Sequence, residues 1–396
     1  MDALETPLND LVCLSHLRWD FVFQRPQHLM TRWAKSARVF YVEEPIFDAE
    51  QPHMHVSTRD PQLHVCVPHL PPNTQPERAR LLQRQLIEQL IAEKSLNDYV
   101  LWYYTPMALP FTTGLSPAAV VYDCMDELSA FRGAPPELVL LERQLLEKAD
   151  LLTTGGHSLY RAKQRLHPNV HPFPSSVDTL HFAEARVQQP DPHDQREIPH
   201  VRLGFFGVID ERFDIELVAG VAQLRPDWHL VMLGPVVKID PDTLPRAHNL
   251  HYLGQKSYQE LPRYIAGWDV AMLPFAKNES TRYISPTKTP EYLAAGRPVV
   301  STSITDVVEP YGKRKLVQIA DTPVEFVAAV DRCLSEDPAL RRAQADAFLA
   351  GNSWDVTFAN MAGLVNHAVA RRARISAEHD VLRGTPRRTA TRSAVS

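Results

Sequence analysis

The chain has 396 residues, 44% of them apolar, and a formal net charge of −5. That length supports two cores of ordinary domain size, and the acidic balance argues against a general nucleic-acid binder, which needs clustered Lys and Arg. No apolar run approaches the roughly twenty residues that span a bilayer, and Met1 to Pro7 lack the basic and apolar stretches of a signal peptide, so a cytoplasmic protein is expected.

From the N-terminus, short apolar runs at Leu11–Leu14, Val39–Val42, Leu63–Val67, Tyr99–Tyr103, Ala119–Tyr122 and Leu151–Thr154 alternate with polar or helical stretches. This is the pattern of a parallel sheet covered on both faces. Leucines and isoleucines recur at helical spacing over Glu77–Lys94 and Glu137–Lys148. His53, His55, His64 and His69 cluster in sequence, but no Cys or carboxylate stands at ligand spacing with them, so they read as loop histidines and no metal site is expected. A Pro-, His- and Asp-rich stretch from Gln188 to His200 then breaks the periodicity, as a linker or surface excursion does.

A second series follows at Leu203–Phe206, His229–Leu233, Leu250–Leu253, Val270–Leu273, Val299–Ser301 and Leu316–Ile319. The expected fold class is therefore α/β, with two facing, doubly wound Rossmann-like domains. The expected divisions are an N-terminal domain over 1–187, a linker over 188–200, a C-terminal domain over 201–352, a crossover helix over 353–372 and a basic disordered tail over 373–396. Asp240-Pro-Asp242 imitates an Asp-x-Asp metal motif but precedes Thr243 to Arg246 in a loop, where Asp242 reads as a helix N-cap. Cys13, Cys66, Cys124 and Cys333 are scattered and read as reduced thiols. From Arg371 onward, seven arginines face only Glu378 and Asp380, which makes the tail about +5. It reads either as a weak contact for an anionic membrane surface or as a plain solvated terminus.

Ser285 to Ser301 compresses a polar loop, a short helix and a buried strand. Pro290 suits an early helical turn, Gly296 stands where a helix ends in the left-handed conformation, and Pro298 forces the exit into Val299-Val300. At the helix start Lys288 can neutralise a phosphate and Glu291 can accept hydrogen bonds from ribose hydroxyls, with Ser285 and Thr287 beside them. The alternative is an ordinary helix start with a solvated Lys and a dipole-complementing Glu. No G-x-G-x-x-G follows the first strand, which disfavours a dinucleotide-binding dehydrogenase, and neither G-x-S-x-G nor a P-loop is present.

Lys288 followed by Glu291-Tyr-Leu-Ala-Ala-Gly296-Arg-Pro-Val-Val300 resembles the donor-site helix of retaining, B-type (GT-B) glycosyltransferases of the large sucrose-synthase-like family. Ala149 to Gly156, then Val177-Asp178 to Phe182, is similar to that family's interdomain segment. Leu253-Gly-Gln255-Lys256 through Tyr264 resembles its base-binding turn. Ser15-His16-Leu-Arg18-Trp19, with Gln24-Arg25-Pro-Gln-His28, looks like a subgroup of teichuronic-acid and exopolysaccharide synthesis. The resemblance implies a crossover of the last helix onto the first domain and a nucleotide-sugar donor, UDP-sugar before others. It further implies a saccharide or lipid-linked saccharide acceptor, and no metal or other cofactor. Two positions depart from the family: Tyr283 stands where a first Glu is usual, and the loop after Leu203–Phe206 offers Gly207, Val208 and a single cation, Arg212.

The expected site follows. Gly207, Arg212, Gln255, Lys256, Ser285, Thr287, Lys288 and Glu291 hold the donor, with Arg212 and Lys288 on its diphosphate. In the first domain Asp126 and His16 are the catalytic candidates, Asp126 having a helix N-cap as its plainer alternative, and Ser15, Arg18, Trp19, Arg25 and Tyr104 line the acceptor side. The expected activity is hexosyl transfer to a cell-envelope or exopolysaccharide acceptor, in the cytoplasm or on the inner face of the membrane. A nucleotide-sugar epimerase or hydrolase of the same fold, or a non-catalytic nucleotide-sugar-binding partner, are the alternatives.

Overall fold

A computed structural model describes residues 8–382, in two sheets with helices on both faces. The first sheet holds β1 (Asp10–Leu14), β2 (Arg38–Val42), β3 (Ile46–Phe47), β4 (His53–Asp60), β5 (Leu63–Leu70), β6 (Tyr99–Tyr103), β7 (Ala119–Cys124), β8 (Leu151–Thr154) and β9 (Val170–Pro172). Its order is β3-β5-β2-β1-β6-β7-β8-β9, parallel throughout, with β4 antiparallel on β5. The second holds β10 (Arg202–Phe206), β11 (His229–Leu233), β12 (Leu250–Tyr252), β13 (Val270–Leu273), β14 (Val299–Ser301) and β15 (Gln318–Ile319), in the order β12-β11-β10-β13-β14-β15. Both are doubly wound: the chain leaves the first strand to one side and returns on the other, which opens a crevice at the carboxyl ends.

The central strands are buried along their whole length, which is why they read as apolar runs. Strand β4 has no fully buried residue, so its sequence carries no such signal. The histidines are strand residues of this hairpin and not loop residues: His53 pairs with His69 across β4 and β5, their rings stack at 5.0 Å, and His69 bonds Asp48 at 2.6 Å. Among the described residues no group of three or more potential ligands could hold a metal. Asp240, not Asp242, caps the turn Pro241–Thr243, and Asp242 pairs with Arg246. The four cysteines are free and buried.

The segment expected as a linker is anchored. Gln195 is fully buried, donates to the Tyr264 carbonyl at 3.0 Å and accepts from Trp268 Nε1 at 3.0 Å. Val177, Phe182, Ala185 and Ile198 join the core beneath the second sheet, so the chain enters that core before residue 187. The last helix, Trp354–Leu382, returns to the first sheet, where Trp354, Met361, Val365 and Ala368 pack with Leu11, Val39 and Trp102. It continues past 372 because its residues include no Pro or Gly beyond Gly363, and Arg372 pairs with Asp150 at 2.7 Å. The basic tail from 383 onward lies outside the described residues. No described helix is long and apolar enough to cross a membrane.

Trp354 is 1% exposed and stacks on His28 at 4.5 Å, pinning the returning helix to the helix Arg25–Trp33. Trp354→Ala is expected to cost about 3–5 kcal/mol in denaturant unfolding. A loss below about 1 kcal/mol would show that the fold does not depend on this anchor.

Candidate functional site

The carboxyl ends of the two sheets face each other across a cleft of about 680 Å³. Its first-domain wall comes from the loop after β1 and from the loops after β7 and β9, contributing Trp19, Phe23, Arg25, Asp126 and Ser175. Its second-domain wall includes Gly207, Arg212, Gly234, Gln255 and Tyr258 from the loops after β10, β11 and β12.

The floor is the start of the helix Lys288–Ala294, with Ser285 and Thr287 leading into it. Gly296 ends this helix at φ +73°, as the sequence requires. Glu291 is 5% exposed, its Oε2 has no hydrogen-bond partner, and burial raises its carboxyl to about 7. Lys288 makes no ion pair at bonding distance among the described residues, and burial lowers its amine below the ordinary lysine range, with Glu291 nearby opposing the shift. The lysine lies between the Phe205 and Phe206 rings, 6.0 and 5.8 Å from their centroids. Gly207 makes room for it: at φ +140° an added Cβ would collide with Lys288 Cε. Gly234, at φ +145°, faces the Gly207 carbonyl as closely. Two glycines thus let a cation lie flat against a loop that any side chain would fill.

Arg212 bonds buried Asp210 through Nε at 2.9 Å and Nη2 at 2.6 Å, which fixes the guanidinium at the cleft edge. Its other face meets Phe131 of the first domain at 5.3 Å, and Lys238 approaches the same ring at 5.3 Å. Asp126 is no helix cap: Glu127 holds the cap position of the turn Leu128–Ala130, and no side chain caps it. Burial raises the Asp126 carboxyl above its ordinary range, with Arg212, Arg25 and Lys288 opposing the shift. Its carboxyl thus lines the cleft in the field of three cations.

Other expected residues lie elsewhere. Arg25 lines the cleft but is spent on a buried fork with Asp123, at 2.9 and 2.8 Å, and on the Phe173 carbonyl at 2.7 Å. Arg25 therefore has no fork left for phosphate. Ser15 turns away to Tyr41, Arg18 straps its loop to Glu43 and to the carbonyls of Glu44 and Pro45, and Tyr104 is buried in the core. None of these three lines the cleft. His16 lies outside the lining too. Burial chiefly, and the charge of Lys238 next, lower its imidazole to about 4, so it is neutral near pH 7. Gln255 reaches across the cleft to the Phe21 carbonyl at 2.5 Å, and Lys256 pairs with Asp194 at 2.6 Å. Tyr283 packs against the core of the first domain, turned from the cleft. Tyr258, Phe23, Phe131 and Lys238 had no motif to mark them; they meet only because two domains close on one another. Phe23 stacks on Tyr258 at 4.6 Å across that seam.

Residues 201–336 match the family model described as glycosyl transferases group 1. The TuaH protein of Bacillus subtilis (strain 168), described as a teichuronic acid biosynthesis glycosyltransferase, is 26% identical over 272 residues, spanning 64% of this chain and 68% of its own. A sucrose-phosphate synthase from Thermosynechococcus elongatus superposes with a TM-score of 0.69 at 14% identity, over 92% of this chain and all of that one (100%). The E. coli trehalose-6-phosphate structure bound with UDP-2-fluoro glucose gives 0.66 at 14% identity, covering 90% and 99%. HepE of Anabaena in complex with UDP gives 0.64 at 13% identity, covering 91% and 100%. At these identities the structures speak for the fold, which is GT-B; with the family match and the relative, the chain is a glycosyltransferase.

The Glu291 carboxyl yields a pH signature. Its pKa is raised from 4.5 to about 7 on folding, so its contribution to stability is fully present below 4.5 and is lost as the pH rises through about 7. Glu291→Gln removes that loss. In thermal unfolding without ligand, the variant is expected to gain on wild type between about pH 5 and about pH 8, by about 1–3 kcal/mol. A difference independent of pH would show that Glu291 is not desolvated as described.

Proposed function

We propose that this glycosyltransferase moves a sugar from a nucleoside-diphosphate sugar, UDP-sugar before others, to a saccharide or lipid-linked saccharide acceptor of cell-envelope or exopolysaccharide synthesis. The observation that carries the donor half is the Lys288–Glu291 pair: a desolvated amine without an ion-pair partner, and a buried carboxylate oxygen without a donor, on one helical turn at the cleft floor. Such groups are costly unless a ligand completes them. A diphosphate answers the amine and ribose hydroxyls answer the carboxylate. The UDP in the HepE structure and the UDP-sugar analogue in the trehalose-6-phosphate structure support this donor class, and the TuaH relative supports the acceptor class.

In this reading Arg212 and Lys288 stabilise charge on the departing diphosphate, the work a divalent cation would otherwise do, so transfer proceeds without a metal. Gly207 lets the lysine approach, Ser285 and Thr287 border the phosphates, and the turn at Gln255 and Lys256 borders the base. Asp126 faces them from the first domain and would orient the acceptor hydroxyl or stabilise cationic character at the anomeric carbon, with the configuration retained. The ring of Trp19 stands on the acceptor side, and His16, outside the lining, is left out of the reaction. The basic tail would bring the enzyme to an anionic membrane surface where lipid-linked acceptors reside.

Lys288→Ala and Arg212→Ala are each expected to weaken UDP binding in calorimetric titration by about 1.5–3 kcal/mol, with Arg212 at the lower end because Asp210 already engages it. Unchanged affinity in both would remove the diphosphate from this position. Asp126→Asn is expected to lower transfer to a saccharide acceptor by about 10²-fold, with donor affinity within a factor of a few. Donor consumption without acceptor, followed in parallel, separates transfer from hydrolysis. Normal transfer by Asp126→Asn would end its catalytic assignment.

A further inference from the structure

The first domain has a hollow of its own, of about 300 Å³, that the cleft does not include. It lies beyond the carboxyl ends of β1, β2 and β6. Strand β2 follows β1 on one side and β6 flanks it on the other, so the hollow occupies the topological switch point of this sheet, where open α/β sheets bind ligands. The donor cleft uses the corresponding point of the second sheet, between β10 and β13.

One wall is shared. The segment from Ser15 to Trp19 has Trp19 in the cleft and Ser15 in the hollow. Arg18 straps it to the far side of the hollow, reaching Glu43 Oε2 at 2.8 Å, the Glu44 carbonyl at 2.7 Å and the Pro45 carbonyl at 3.4 Å, while Trp19 N–H bonds Glu43 Oε1 at 2.7 Å. Ser15 and Arg18, which the cleft leaves out, thus build the partition between two adjoining cavities.

The lining has a definite chemistry. Phe47, 45% exposed, and Phe111 supply aromatic faces, while Gln83, Thr105 and Glu44 supply polar groups. No partner engages the Glu44 carboxylate at hydrogen-bond or ion-pair distance among the described residues, no Lys or Arg is among the described residues lining the hollow, and Arg18, which straps the adjoining segment, is spent on Glu43. This excludes a phosphate or a uronate, which would meet a bare carboxylate and no free cation. It also disfavours an acyl chain, which would bury polar groups unpaired. An aromatic face beside hydroxyl-accepting carboxylate and amide groups is complementary to a neutral sugar ring. We infer that this hollow is a second saccharide subsite, holding a neutral sugar unit of the acceptor one cavity away from the reacting centre. The inference rests on the proposed acceptor class but not on the donor site.

The test is calorimetric titration of the full chain with maltotriose, cellotriose and chitotriose as neutral probes and trigalacturonate as the acidic one, with UDP titrated into the same samples. At least one neutral trisaccharide is expected to bind and trigalacturonate to bind at least about tenfold more weakly. Phe47→Ala and Glu44→Gln, both at exposed positions, are expected to weaken the neutral probe by about fivefold or more while UDP affinity stays within about twofold. If no neutral trisaccharide binds, if both variants bind it as wild type does, or if trigalacturonate binds best, the subsite is refuted. Failure of UDP to bind wild type would instead overturn the donor assignment, whatever the saccharides do.

Discussion

The site depends on a single electrostatic arrangement: a half-buried amine and a buried carboxylate on one turn of a short helix, each offsetting part of the other's cost, with Asp210 and Asp126 adding to the field on the amine. Folding tolerates it because each charge is weakened. Burial pushes the Glu291 carboxyl toward its neutral form and the Lys288 amine toward its own. The surroundings are shaped to keep it so. Gly207 clears the space for the lysine, Gly234 lets its own loop close on the Gly207 carbonyl, the Phe205 and Phe206 rings flank the lysine, and the buried Tyr292 hydroxyl holds the end of β10 by accepting from Phe206 N–H at 3.0 Å. The proposed ligand, with two phosphates and two hydroxyls, would convert this cost into affinity.

The second constraint is the seam between the domains. Phe131 of the first domain is held between Arg212 and Lys238 of the second, Gln255 bridges to Phe21, Ser175 bonds the Ser285 carbonyl at 3.1 Å, and the Ser158 N–H meets Asp306 at 2.9 Å. Arg212, Gln255, Ser175 and Ser285 also line the cleft, so the contacts that close the domains border the same space. Tyr283 fits the same picture: where the family usually places a donor-facing Glu, this chain has a ring packed on the first domain's core. The position serves the seam.

Much of this was legible in the sequence. Buried parallel strands write themselves as apolar runs, and Pro290, Gly296 and Pro298 mark the short helix through local chemistry, whereas Lys288 and Glu291 stand out through the family resemblance, since local chemistry alone leaves an ordinary helix start open. What escaped was set by tertiary context. Strand β4 is held by pairing to β5 with no buried face of its own, so no period announced it. Arg25 lines the cleft, but the partner that takes its guanidinium, Asp123, is far away in sequence. Ser15 and Arg18 share a loop with Trp19, yet the strap to Glu43 turns them to the other side of a wall that only the fold defines. Phe131 and Lys238 come together from different domains, and nothing local could pair them.

The central claim is that a nucleotide completes the desolvated carboxylate of Glu291, and proton linkage tests it most directly. Ribose hydroxyls donating to Glu291 would favour its charged form and lower its pKa from about 7, so this carboxyl gives up a proton on binding near neutral pH. Calorimetric titration of UDP near pH 7, in buffers of different ionisation enthalpy, measures that release. The account predicts a release of a substantial fraction of a proton in wild type that Glu291→Gln abolishes, beyond any contribution from the nucleotide's own phosphate. Equal proton release in wild type and variant would contradict it.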